Sequence, residues 1–298
     1  MILEYLQPDP SLLDGVSVML RAAYYAASLG AVGLGLFLGG FGHRLDAPAL
    51  PQLRRWLLGA ALIGIATSVL ALFLRALILS AGESFMDPEI WKAMMISRIG
   101  DAFWLRLAGL CLLAFAALPW RVAVILAAMG ALMTAASYAA MGHSTLYRPR
   151  QELSALVTLH LLAVGFWIGS LPPLAQAALR GDAALIAAWS RLALGVVAVV
   201  ACAGLVAAWL LVRRWDLLLA SWYGWAMIAK LVLVWGLIGF GAWHKLRLVP
   251  ALGKDDPAAR NALARSIWRE AVFALLVFWA AAEMVSVHPL NAGHRIAL

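Results

Sequence analysis

The sequence predicts an all-α fold, a polytopic transmembrane helical bundle with about eight spans and both termini outside. Of its 298 residues, 64% are hydrophobic and only 13% are charged, and the mean hydropathy is +0.89. Soluble domains have roughly 25% charged residues, so a chain of this composition is expected to lie in lipid. Because a bilayer offers no water to the backbone, each span must satisfy its own polar groups, and apolar runs of this length then form helices.

Apolar runs long enough to cross a hydrocarbon core of about 30 Å give the eight predicted spans. They lie near 15–40, 56–80, 101–118, 121–141, 153–179, 190–212, 222–244 and 267–287. The polar segments between them are short, which predicts a single membrane domain over residues 1–298. Residues 81–100 mix aromatic and methionine side chains with polar ones, a pattern typical of an amphipathic outer loop on the membrane surface.

The distribution of basic residues predicts the orientation of the bundle. The loops after spans one, three, five and seven contain more Lys and Arg than the loops on the opposite side. Cytoplasmic loops are enriched in these residues, so the first set is placed inside. The net charge of +8 is therefore interpreted as membrane topology, and no nucleic-acid partner is expected.

Ionisable side chains within the spans lie mostly in the predicted outer half. Such groups are costly in lipid and usually face the bundle interior, where they mark a pathway or a site. They come from six spans, so the sequence predicts an outward-facing polar cavity; the alternative is that each long cationic side chain reaches the outer headgroups. The predicted cavity residues are Arg21, Arg75, Arg106, Lys230, Glu283 and Trp167.

Histidines and methionines at the same outer end predict a metal site. His143 follows a glycine that can end the fourth span, and His160 lies on the next one. Imidazole and thioether together suit copper, Cu(I) especially, although methionine also serves as a packing residue. The predicted copper ligands are His143, His160, Met141, Met284 and His288, and His43 with His244 form a predicted inner site.

Several local patterns make the chain resemble the copper resistance protein D (CopD) family, bacterial inner-membrane proteins associated with copper handling. The resemblance is strongest over residues 142–290. Its patterns are Gly142-His143-Ser144, His160-Leu161-Leu162, Phe166-Trp167-Ile168-Gly169-Ser170-Leu171, Tyr223-Gly224 with Lys230, Leu246-Arg247-Leu248-Val249-Pro250-Ala251-Leu252, and Arg265-Ser266-Ile267 with Glu270. The resemblance implies a multi-pass inner-membrane protein that takes copper from the periplasm into the cytoplasm with a periplasmic CopC-like copper-binding partner.

Two other classes of function stay open at this point. In a b-type haem or quinone-linked electron-transfer protein, two histidines on different helices hold the iron, and the cations Arg21, Arg75, Arg106 and Lys230 suit haem propionates or a quinone. In an assembly or sensory protein, the cavity binds a partner without transport. No P-loop or soluble catalytic domain is recognisable, so no enzyme activity is expected unless the redox alternative holds.

Overall fold

The computed structural model describes residues 12–80, 87–141, 150–211, 222–252 and 257–286. These ranges are almost entirely helical and contain no β-strand, which confirms the predicted all-α polytopic fold. The helices are α1 (Leu12–Phe41), α2 (Ala49–Leu79), α3 (Pro88–Met95), α4 (Arg98–Ala116), α5 (Ala123–Ala139), α6 (Arg150–Arg180), α7 (Ala183–Leu211), α8 (Trp222–Trp243), α9 (Val249–Leu252) and α10 (Pro257–Ser286). A 3-10 turn, Gly42–Arg44, follows α1, and a π-helical turn, His244–Leu248, joins α8 to α9.

Eight of these helices correspond to the eight predicted spans, and six of them are long and apolar enough to cross a membrane: α1, α2, α4, α6, α7 and α8. Helix α5 is apolar but has only 17 residues. Helix α10 has 30 residues, but its uninterrupted apolar stretch covers only 271–282, because Arg269 and Glu270 precede it and Glu283 follows it. It begins ten residues before the predicted span at 267, which places Glu270 well inside the helix.

Close contacts between small residues join the helices in the middle of the bundle. A Cβ atom at Gly33 of α1 would overlap the carbonyl oxygen of Gly165 in α6, and one at Gly169 would lie 2.6 Å from Gly33 Cα. In the same way, a Cβ at Gly130 of α5 would lie 2.7 Å from the Gly109 carbonyl oxygen of α4. Glycine permits this approach because it has no side chain, and such contacts replace the hydrophobic driving force that is missing between helices in lipid.

Helix α1 is central, because it packs on α2, α5, α6 and α10. Helix α7 packs chiefly on α6, and α8 packs chiefly on α10. Both therefore present large apolar side chains to the outside: Leu194 and Trp209 of α7 are 67% and 70% exposed, and Trp235 of α8 is 70% exposed. This surface is the one expected of a bundle surrounded by acyl chains.

The predicted amphipathic loop contains α3. Asp87 caps this helix by accepting a hydrogen bond from the Glu89 backbone N–H at 2.9 Å, with Pro88 in the first turn. Met94 is buried against α2 and α4, whereas Glu89 and Lys92 lie on the exposed side and pair at 3.7 Å. Residues 88–95 are thus amphipathic, and 81–86 lie outside the described residues.

Candidate functional site

Arg106 is enclosed by aromatic rings from two other helices. Its Cζ atom lies 4.6 Å from the Tyr24 ring centroid on α1 and 4.7 Å from the Tyr138 ring centroid on α5. Its Nε–H donates to Ser137 Oγ at 3.1 Å, and the residue is 7% exposed. Ring faces carry negative charge density that attracts a cation, so this buried guanidinium is stabilised by π faces and a hydroxyl.

The tyrosines around Arg106 are themselves held in place by Ser28. The Ser28 hydroxyl donates to the Tyr24 carbonyl oxygen at 2.5 Å. Since a hydroxyl has one proton, the Tyr138 hydroxyl, also 2.5 Å from Ser28 Oγ, acts as the donor in that second contact. The predicted cavity residue Arg106 therefore belongs to a connected cluster of α1, α4 and α5.

Two further predicted cavity residues, Arg21 and Arg75, lie near each other on α1 and α2. Their positive charges are close enough to repel. Arg75 is exposed and Arg21 is half-buried. The Arg21 Nε atom is buried and has no hydrogen-bond partner within the described residues.

His160 faces α7 and α8. Its Nδ1 lies 3.1 Å from the Val200 carbonyl oxygen of α7. Because a carbonyl oxygen only accepts, Nδ1–H is the donor, and in the neutral ring Nε2 then carries the lone pair. Gly204 leaves space for the ring, since a Cβ there would lie 3.1 Å from His160 Cε1. A backbone carbonyl that fixes one imidazole nitrogen while the other is available is the usual arrangement around a metal-binding histidine.

Lys230 and two methionines extend this region along α8 and α10. Lys230 of α8 lies near His160 across the interface. Met227, one turn before Lys230, is buried against the predicted ligand Met284, with exposed fractions of 9% and 8%. Sequence reasoning missed Met227, although its three-residue spacing from Lys230 places both on one side of α8.

A second polar cluster joins α6, α10 and the turn after α8. Glu270 is only 2% exposed, and its Oε1 accepts a hydrogen bond from Trp167 Nε1–H at 2.7 Å. Its Oε2 lies 3.4 Å from His244 Nδ1. His244 Nε2 is in turn 2.7 Å from Ser266 Oγ, one turn before Glu270 on α10. Buried polar groups of this kind are retained where each has a partner.

These residues lie at different depths along the C-terminal helices. His244 follows Lys230 by 14 residues, which corresponds to about 21 Å of helix. Trp167 follows His160 by seven residues, about 10 Å further along the same face of α6. We call the set His160, Lys230, Trp167, Glu270, His244 and Ser266 the C-terminal polar line. Glu270 was not predicted as a site residue, although it stands in one of the sequence patterns quoted above.

The remaining predicted residues are distributed around these clusters. His143 and His288 lie outside the described residues. Met141 is half-buried just after α5, and Glu283, also half-buried, precedes Met284. His43 is exposed and contacts Arg44 at 3.4 Å, while His244 contacts Ser266 and Glu270, so the two predicted inner histidines have different partners. The part of the chain that is described contains no group of three or more His, Cys, Asp or Glu arranged for a metal. The copper ligand set and the single shared cavity stay predictions.

The fold and these clusters define a multi-pass helical membrane protein with imidazole, thioether and carboxylate groups inside its bundle. Two family models match the chain, Copper resistance protein D over residues 183–284 and Copper resistance protein D-like, N-terminal domain over residues 12–148. The chain belongs to the copper resistance protein D family, as the resemblance implied. Neither the comparison with curated proteins nor the comparison with solved structures gives a match.

Proposed function

We propose that this copper resistance family protein binds copper and takes it across the bacterial inner membrane into the cytoplasm through its C-terminal helices. The supporting observation is the C-terminal polar line. It extends over about 21 Å between the levels of Lys230 and His244, a large part of a hydrocarbon core of about 30 Å. Polar side chains at several depths are what an ion needs in order to cross in steps.

The outer end of the line offers ligands suited to copper. The Nε2 lone pair of His160 and the thioethers of Met227 and Met284 are of the soft or borderline type that copper prefers. Lys230 lies near His160 and supplies a further polar group at this level of the bundle.

The inner end of the line offers a carboxylate and a second imidazole. Glu270 supplies the negative charge that offsets a cation in a low-dielectric interior, and His244 supplies a nitrogen next to it. Ser266 holds the other nitrogen of His244 and so orients its ring. The exposed His43 is not part of this inner position.

Direction and partner rest on the family and on charge. The excess of basic residues on the side of His244 supports a cytoplasmic position for that end. Copper then enters at the end that carries His160 and Met284. A periplasmic CopC-like protein is the proposed donor there, with Met141 near its docking position.

A copper flux assay with the purified full chain in proteoliposomes tests this proposal. We expect His160→Ala, Glu270→Gln and His244→Ala each to reduce copper uptake at least tenfold relative to the wild type. The matched control is His43→Ala, which removes an exposed imidazole outside the polar line and should leave uptake unchanged. Uptake that survives Glu270→Gln and His160→Ala, or that is lost in His43→Ala alone, would contradict the proposed route.

A further inference from the structure

Two methionines pack against each other at the predicted outer ends of α8 and α10. Met227 lies in the second turn of α8, and Met284 lies in the last turn of α10, which ends at Ser286. Both are almost fully buried, with 9% and 8% of their surface exposed. The partly buried apolar side chains packed against them are Ala208 of α7 and Ala226 of α8. Two long thioether side chains therefore meet among small alanine side chains.

The main core of the bundle is built without methionine. Among the described residues, its buried side chains are Ala, Val, Leu, Ile, Phe and Trp. Methionine often serves as a filler of irregular gaps, and that role would be expected in the large core as well. The pairing of two thioethers in a small separate cluster favours a chemical role for the sulfur atoms.

Helix α7 brings this pair close to His160. Val200, Gly204 and Ala208 are four residues apart, so they lie on one side of α7 in successive turns of about 6 Å each. The first two contact the His160 ring, and Ala208 packs against the methionines. The imidazole and the methionine pair thus lie against the same side of α7, one turn apart.

The orientation of the His160 ring leaves one nitrogen free on the side away from α7. A Cβ atom at Gly204 would lie 3.1 Å from His160 Cε1 and 3.5 Å from Nδ1, with Nε2 beyond 4 Å. Nδ1–H is already held by the Val200 carbonyl oxygen. Nε2, with its lone pair, is therefore the nitrogen turned toward the other helices.

The donor atoms of this set are two thioether sulfurs and one neutral imidazole nitrogen. Soft sulfur ligands select Cu(I), whereas Cu(II) favours tetragonal sets of nitrogen and oxygen ligands. The set carries no charge, and the energy lost when an ion leaves water rises with the square of its charge. Glu283 precedes Met284 in sequence, but consecutive residues of a helix do not face the same side. The set thus suits a monovalent copper ion better than a divalent one.

We propose that Met227, Met284 and His160 form the entry site of the chain and that this site takes copper as Cu(I) in preference to Cu(II). The inference rests on the copper transport proposed above and adds the oxidation state of the ion. Copper reaches the methionine pair first, since that pair is nearer to the predicted outer surface, and His160 receives it one turn deeper.

Copper binding to the purified full chain in detergent tests the site. With Cu(I) supplied anaerobically with ascorbate, we expect Met227→Leu/Met284→Leu to weaken binding about tenfold, because leucine keeps the volume and removes the sulfur. X-ray absorption at the copper edge should show sulfur neighbours in the wild type that the double variant loses. The matched control is Met94→Leu, which should bind Cu(I) like the wild type. Met94 is 3% exposed, and its neighbours α2, α3 and α4 contain no histidine.

Uptake into proteoliposomes tests the preference between the two ions. The wild type should take up Cu(I) kept reduced with ascorbate about tenfold faster than Cu(II) supplied without a reductant, and Ag(I), another soft monovalent ion, should compete with Cu(I). Thermal unfolding in detergent checks that each variant is folded. The proposal is overturned if Cu(II) is taken up as fast as Cu(I), or if the folded double variant binds Cu(I) as tightly as the wild type. A wild type that binds Cu(I) through the methionines but takes up neither ion would contradict the proposed transport and support the site.

Discussion

The N-terminal helices α1 to α5 and the C-terminal helices α6 to α10 bury polar groups in different ways. In the first region, Arg106 is held between two tyrosine rings and a serine hydroxyl. In the second, Glu270 connects Trp167 to His244, and His160 has one nitrogen fixed by a backbone carbonyl. The residues around Arg106 offer only ring faces and hydroxyl groups, which are poor copper ligands, whereas the second region offers imidazole groups, which copper prefers. We infer that the first cluster stabilises the bundle and that the second carries copper.

The largest expected effect comes from the close crossing of α1 and α6, which joins the two regions. Gly33→Ala places a methyl group on the Gly165 carbonyl oxygen, so α1 and α6 must separate. We expect a loss of about 3 kcal/mol in unfolding free energy or a failure to fold. The thermal unfolding midpoint in detergent measures this. Gly59→Ala is the control, because a Cβ there meets nothing within 4 Å, and an equal loss in both variants would refute the role of the crossing.

A smaller loss of stability is expected when the C-terminal cluster loses its carboxylate. Glu270→Ala leaves the buried Trp167 N–H without its acceptor and His244 without its neighbour. An unsatisfied buried donor costs about 1–3 kcal/mol, so we expect the unfolding free energy to fall by about 2 kcal/mol. Glu270→Gln keeps an acceptor for Trp167 and should lose less, while copper uptake is lost in both. If Glu270→Gln transports copper normally, the carboxylate has only a structural role.

In the N-terminal cluster, a conservative change should affect stability alone. Arg106→Lys keeps the charge but loses the planar stacking on Tyr24 and Tyr138 and the bond to Ser137. We expect a loss of about 1.5 kcal/mol, measured by thermal unfolding, with copper uptake per folded protein unchanged. Arg55→Lys, at an exposed position, is the control. A specific loss of uptake in Arg106→Lys would break the distinction between the two regions.

The smallest expected effect is the removal of one hydroxyl. Tyr138→Phe deletes the hydrogen bond to Ser28 but keeps the ring face under Arg106. A typical buried hydrogen bond contributes about 1 kcal/mol, so the unfolding free energy should fall by that amount. Tyr25→Phe is the matched control, since the Tyr25 ring contacts both other tyrosines without the Ser28 bond. Equal stability of Tyr138→Phe and wild type would show that the Ser28 contact contributes little.

Most of the fold could be predicted from the sequence because hydropathy determines which segments enter lipid. All eight predicted spans have a helix in the structure. The helix α10 begins at Pro257, ten residues before the predicted span, because Arg260, Arg265 and Arg269 make its first turns too polar to be recognised as part of a membrane span. Runs of apolar residues show which segments can cross a membrane. They do not show how far a helix continues as a polar segment outside that run.

The candidate site was predicted only in part. His160 was predicted as a site residue from its depth in a span, and Trp167 from its seven-residue spacing from His160, and the sequence gives both directly. Glu270 was missed because the predicted span began at 267, which placed it at the membrane border instead of about 20 Å into α10. The tyrosine partners of Arg106 depend on how α1, α4 and α5 pack, and no spacing in the sequence contains that contact.

Copper content measured together with the visible absorption spectrum tests most directly whether the C-terminal polar line carries copper. Purified wild-type protein should bind copper and show no Soret band, His160→Ala and Glu270→Gln should each bind less, and Arg106→Lys should bind as much as wild type. A Soret band in the wild type would favour the haem alternative. Copper binding that is absent from the wild type, or that persists in both His160→Ala and Glu270→Gln, would contradict the assignment of copper to these helices.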